Sequence, residues 1–243
     1  MITGRPPERP PESPPERHPD RPPTRRAASL AGHPALHLAR AAGACDAQID
    51  RAAAFYDEPH RRYHGRAHIV EMLDLAARSE LQLSAAQALA VLFHDAIYVP
   101  GAPRGSNEAM SAQLLRLYSG SIADAVVTLA QSIIVDTADH VARRPESRPV
   151  LDLDLARLGA SPEQFDAFSS QIFDEQRPLI AVRDDRLARL FFESRRAPFF
   201  EHLLAREAIY CLPWFRARYE DQARRNLAAA IDRVKAAGTH EMA

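Results

Sequence analysis

The feature that most constrains this chain is a polar pair inside an apolar run: Leu89-Ala90-Val91-Leu92-Phe93-His94-Asp95-Ala96-Ile97-Tyr98. A run of this kind reads as a helix buried on most of its sides. An ionised carboxylate there is costly unless it is paired or bound to a cation. The adjacent histidine supplies the side chain that most often ligates metals. The pair therefore points to a metal held inside a helical bundle.

The rest of the chain is compatible with that setting. With 243 residues, 46% of them hydrophobic, it can bury one substantial core. From about Pro34 onward Ala and Leu are abundant, β-branched residues are sparse, and no segment sustains period-two alternation. The periodicity predicts helices near 35–42, 46–57, 64–79, 84–98, 107–118, 121–135, 149–157, 161–176, 180–195, 200–211 and 213–237. Ser84 is a candidate cap for the helix carrying His94, and Ser161-Pro162-Glu163 reads as a cap with proline in the first turn. Pro100-Gly101-Ala102-Pro103 breaks the chain between. The fold class predicted is all-α, with one helical domain over 34–240.

Residues 1–33 contrast with this. Repeated Pro-Pro-Glu units with almost no apolar side chains cannot offset their ordering entropy, so a disordered Pro/Arg-rich tail is expected. The net charge of −1 gives no electrostatic case for a nucleic acid polymer or an anionic membrane. Almost every base is arginine, Lys235 being the one lysine, which points to genome composition more than to binding. Cys45 and Cys211 lie far apart and are expected as reduced core residues. With no membrane-length apolar stretch and no signal-type N-terminus, a soluble cytoplasmic protein is expected.

Two further segments carry candidate ligands. In Tyr63-His64-Gly65-Arg66-Ala67-His68 the histidines are four apart, so on a helix they share a face. Both could chelate one metal. Alternatively His68 alone binds, with His64 near the substrate, or the two are surface histidines. In Leu151-Asp152-Leu153-Asp154-Leu155 the aspartates are two apart and cannot face the same way on a helix. Leu155 and Leu158 draw Asp154 inward, which leaves Asp152 as an N-terminal helix charge. Two histidines and two carboxylates suit Mn, Mg, Fe, Co or Zn with open positions, where bound water becomes a far stronger acid.

The ordered set of His68, His94-Asp95 and Asp154 in an all-helical chain resembles the HD superfamily of metal-dependent phosphohydrolases, and within it an uncharacterised bacterial branch. The resemblance covers most of residues 35–237. It rests also on Glu58-Pro59-His60-Arg61-Arg62-Tyr63-His64, Phe93 through Tyr98, Asn107-Glu108 with Ser111-Ala112, and Leu151 through Leu155. It implies that His68, His94, Asp95 and Asp154 hold a divalent metal, with a second metal possible. His64 would lie beside the site. The implied substrate is a small phosphorylated metabolite or nucleotide.

One departure matters. Some nucleotidase branches place a glutamate soon after the doublet, where this chain has Ile97, Tyr98 and Val99. Glu108 is the candidate to replace it, set against a simple helix-start role with Asn107 as cap. His140 is either a second-metal or phosphate contact or a surface residue. Arg66 is the favoured phosphate cation among Arg61, Arg62, Arg66 and Arg104. Arg195-Arg196 and Arg224-Arg225 read as helix surface, and Phe191-Phe192, Phe199-Phe200, Trp214 and Phe215 as core. Two alternatives to hydrolysis stand: a di-iron oxygenase, which requires His64 and His140 both as ligands, and a metal-binding domain without turnover.

Overall fold

The computed structural model describes residues 30–240, which form ten α-helices and several 3₁₀ turns with no strand among the described residues. The helices are α1 (His37–Ala41), α2 (Asp46–Phe55), α3 (Arg66–Arg78), α4 (Ala85–Phe93), α5 (Ser106–Tyr118), α6 (Asp124–Asp136), α7 (Arg148–Leu155), α8 (Pro162–Gln176), α9 (Asp185–Leu204) and α10 (Pro213–His240). None of them is long and apolar enough to cross a membrane. The Pro-Pro-Glu segment lies outside the described residues. Ordered packing begins earlier than Pro34, because Leu30 is buried in the core.

Helix α4 is the axis of the molecule. Every residue from Ala86 to Phe93 is buried, and the helix packs against α1, α2, α3, α5, α6 and α7. Its start follows the sequence: Ser84 and Gln87 form a reciprocal capping box, with Gln87 Oε1 2.8 Å from Ser84 N. Burying residues such as Leu89, Leu92 and Phe93 stabilises the fold by about 1.5–3 kcal/mol each. Ser161 caps α8 in the same way.

Helix α4 ends at Phe93, not near Tyr98 as predicted, so His94 is its C-cap and Asp95 begins the following turn. The cause is a guanidinium. Arg61 donates to the carbonyls of Asp95 (2.7 Å), Ala96 (2.8 Å) and His64 (2.9 Å), and the Tyr56 hydroxyl donates to Leu92 O (3.0 Å). These donors satisfy carbonyls that further helix would otherwise use. Arg61 is therefore buried and structural, not a solvated cation.

The predicted helices 180–195 and 200–211 are replaced by one helix, α9, that runs through Pro198. Proline in a helix interior costs about 3 kcal/mol. Buried Phe192 and Phe200, on either side of it, hold the helix in one piece against the core. Helices α9 and α10 pack on one another, and the turn Ala156–Gly159 is pressed against α10. A Cβ on Gly159 would lie 2.7 Å from Tyr219 O and 2.9 Å from its Cα, so the close approach requires glycine. Asn226 fixes that contact by donating to Leu158 O (2.8 Å) and Ala160 O (2.9 Å).

Both cysteines are free thiols, but Cys45 is exposed at the start of α2 instead of buried, and Cys211 is half-buried. Trp214 is half-buried with Phe215 in the core, as expected for packing.

Candidate metal centre

The end of α4, the first turns of α3 and the end of α7 meet at one point. His68 Nε2 lies 3.0 Å from Asp154 Oδ1, and His94 Nε2 lies 3.7 Å from the same oxygen and 3.2 Å from Asp95 Oδ2. One ligand atom from each of His68, His94 and Asp154 falls within 4.8 Å of the others. The four residues singled out in the sequence thus converge, from segments up to 86 positions apart.

The protonation pattern at His94 is the most telling part of this geometry. Its Nδ1 lies 3.0 Å from Val91 O and can only donate there, which leaves Nε2 as the nitrogen that takes either a second proton or a metal ion. That atom is buried, has no hydrogen-bond partner, and faces two carboxylates. A bare lone pair beside two anions is repulsive, so a proton or a metal ion belongs on Nε2. A backbone carbonyl holding the far ring nitrogen is the usual support of a metal-ligating histidine. The donor set, two imidazole nitrogens and two carboxylates, fits a divalent ion. His68 differs in that its Nδ1 is buried without a partner, its ring stacked on Tyr63 with centroids 5.4 Å apart.

Electrostatics agree with a site that attracts positive charge. Burial works against an imidazolium at His94, but the carboxylates of Asp95 and Asp154 outweigh it and hold its pKa well above the usual value. Burial would raise the Asp154 carboxyl, yet the imidazoles of His140, His68 and His94 hold it well below the ordinary range. Asp95 is likewise depressed, with His94 overcoming burial. Burial lowers His68 despite its bond to Asp154.

His140 belongs to this cluster, its Nε2 2.9 Å from Asp154 Oδ2. Its backbone is left-handed (φ 53°), a conformation that costs a non-glycine residue on the order of 1 kcal/mol. Arg206 holds it there by donating to His140 O (2.7 Å) and Asp139 O (3.1 Å). Asp154 therefore faces His68 and His94 with one oxygen and His140 with the other.

His64 lies elsewhere. Gly65 is extended (φ −106°, ψ −177°) and caps α3, so His64 precedes the helix and shares no face with His68. Its Nδ1 is 2.6 Å from Glu175 Oε2, while Glu175 Oε1 accepts from the backbone N–H groups of Arg62 (2.7 Å), Tyr63 (2.7 Å) and His64 (2.9 Å). Burial would raise this carboxyl, but His64 and those donors bring it down to about 2. With Glu175 ionised, Nδ1 carries the proton and Nε2 is left free. The ring stacks on Tyr98 at 4.1 Å. Sequence reasoning missed Glu175, whose Asp-Glu-Gln surroundings on α8 look like an ordinary charged helix and carry no signal of its distant donors.

Several other expectations are corrected. Arg66 is bound to Asp57 through both carboxylate oxygens, at the far side of α3's start, and is not available to a phosphate at the centre. Asp152 is not a helix-start charge: it is fully buried within α7 and accepts from Cys211 N (2.7 Å) and Leu212 N (2.7 Å), where α10 begins. Burial pushes its carboxyl up to about 6 against those donors. Both aspartates are thus internal, on opposite sides of α7.

Glu108 sits in the first turn of α5 and lines a cavity with His140, Arg104 and Arg195, so it is both near a helix start and near the centre. Burial raises its carboxyl. Asn107 is not the cap; that place is Gly105 (φ 81°), and the Asn107 amide instead ties Val99, 3.1 Å from its N. Arg195 is exposed but lines this cavity and the one beside His64, and Phe191 is 44% exposed instead of core.

The chain matches no family model, no curated protein and no solved structure.

Proposed function

We propose that the chain is a metal-dependent phosphohydrolase of the HD type, acting on a small phosphorylated substrate. The observation that carries this reading is His94 Nε2, buried between the carboxylates of Asp95 and Asp154 while Nδ1 is held by Val91 O. His68, His94, Asp95 and Asp154 are the residues that would hold the metal. When bound, the ion would acidify water and polarise a phosphoryl oxygen.

The chain's own groups fit the remaining needs of hydrolysis. Glu175 fixes the His64 proton on Nδ1, so Nε2 can accept or hand over a proton at the adjacent cavity. Arg195 brings positive charge to the boundary of both cavities, where charge develops on phosphoryl oxygens. Glu108, its carboxyl raised by burial, lines the cavity beside His140.

The di-iron oxygenase reading needs His64 and His140 both as ligands. His140 does reach Asp154, whereas the contacts of His64 run to Glu175 and Tyr98 and not to the four ligands, which favours hydrolysis. The test is metal analysis of the purified protein with a phosphatase screen in Mn, Mg, Co and Ni. Phosphate release that depends on the metal and disappears in His94→Ala and Asp95→Ala is expected. If both variants keep wild-type metal content and activity, the reading is wrong. Metal and ligand binding without any turnover would identify a non-catalytic domain instead.

A further inference from the structure

The cavity beside His64 has a character that a metal centre alone does not require. It measures about 590 Å³, within the usual range for small-molecule sites. Its wall is apolar over Ile172, Leu179, Ile180, Phe191 and Phe192, from α8, α9 and the chain between them. Leu179 and Phe191 are 56% and 44% exposed, so large apolar side chains are left to water at its mouth.

The polar groups sit at the other end. There Gln176 Nε2 donates to the Tyr98 hydroxyl (3.1 Å), beside His64. The guanidinium of Arg61 bonds the carbonyls of His64 and Asp95 together, so the His64 end of the cavity adjoins the metal-ligand cluster. Arg195 lines this cavity and also the second one, of about 560 Å³, which contains His140 and Glu108. Arg195 thus marks the junction of two cavities, one holding His140, whose ring meets Asp154, and the other holding His64.

We propose that the substrate is a phosphate monoester of an apolar alcohol or phenol. Its organic part lies among Leu179, Phe191 and their neighbours, and its phosphoryl group lies at the junction marked by Arg195. Hydrolysis would add water to phosphorus and break the ester P–O bond. The departing oxygen would take one proton, releasing the apolar alcohol and inorganic phosphate. The chemistry rests on the phosphohydrolase reading, whereas the binding preference does not.

Calorimetric binding of two non-hydrolysable probes, benzylphosphonate and methylphosphonate, to the Mn-loaded full chain separates the two ideas. Benzylphosphonate is expected to bind at least about tenfold tighter, a preference that one apolar pocket can supply. Leu179→Ser and Phe191→Ser should bring that ratio toward one while thermal unfolding stays unchanged. Leu117→Ser, on exposed α5 surface away from both cavities, should leave the ratio alone. Equal affinity for the two probes, failure of both to bind, or a preference that survives both cavity variants would overturn the inference. If the preference is present and lost in the variants, while no phosphate ester is hydrolysed with any metal, the phosphohydrolase reading fails and the apolar subsite stands.

Discussion

Replacing Glu175 by glutamine tests the largest interaction that the sequence did not reveal. The carboxylate is buried, takes three backbone N–H groups on one oxygen and His64 Nδ1 on the other. A group titrating at about 2 in the folded chain, against an ordinary glutamate near 4.3, contributes about 3 kcal/mol at neutral pH. Because the folded value is depressed, that contribution is present above about pH 4.3 and is lost as the pH falls through 2. Glutamine keeps one carbonyl for the backbone donors but presents an amide NH₂ to His64, so the ring must accept there and move its proton to Nε2. Urea unfolding at pH 7 should show Glu175→Gln less stable by about 3 kcal/mol, the gap narrowing toward pH 3. An NMR measurement of the His64 ring nitrogens should show the exchanged tautomer. Equal midpoints at pH 7, or a gap that does not shrink on acidification, would refute the account of Glu175 as an ionised anchor.

At the metal centre, the proton that the carboxylates hold on His94 must leave before Nε2 can ligate. Mn affinity measured at pH 6, 7 and 8 should therefore rise by about tenfold per unit while the pH remains below that raised pKa; a flat profile would exclude His94 as a ligand. Gly159→Ala places a Cβ against the Tyr219 backbone and should lower stability by about 1–3 kcal/mol in denaturant melts. Arg61→Lys keeps the charge but cannot span three carbonyls, so it should cost on the order of 2 kcal/mol and weaken Mn binding, because the turn after α4 carries Asp95. An unchanged melt in that variant would show that the carbonyls find other donors.

What was legible in the sequence was whatever depended on periodicity and on the cost of burying charge. The apolar run around His94-Asp95 announced the central helix, and the charge buried in it announced polar partners. Leu155 and Leu158 correctly turned Asp154 toward the centre. What failed depended on partners distant in sequence. Asp152 looked like a helix-start charge because the N–H groups it accepts from, those of Cys211 and Leu212 just before α10, lie about 60 positions away. Glu175 was invisible for the same reason, its donors being more than 110 positions earlier. His64 and His68 shared a face only on the assumption of a continuous helix, which extended Gly65 removes.

The arginine content deserves a different physical reading from the one composition suggests. Three guanidiniums end or brace helices by collecting carbonyl oxygens from consecutive or facing residues. Arg61 does so after α4, Arg206 at Asp139 and His140 after α6, and Arg224 at Leu204, Arg206 and Glu207 after α9. A helix C-terminus leaves several carbonyls unpaired and carries partial negative charge, so a planar cation with five donors suits it better than a single ammonium. Two of these three clamps brace the candidate metal centre. Arg61 fixes the turn that presents Asp95, and Arg206 holds His140 in a left-handed conformation that it would otherwise leave. At these two places the fork of Arg61 and Arg206 spans carbonyls that a lysine could not bridge together.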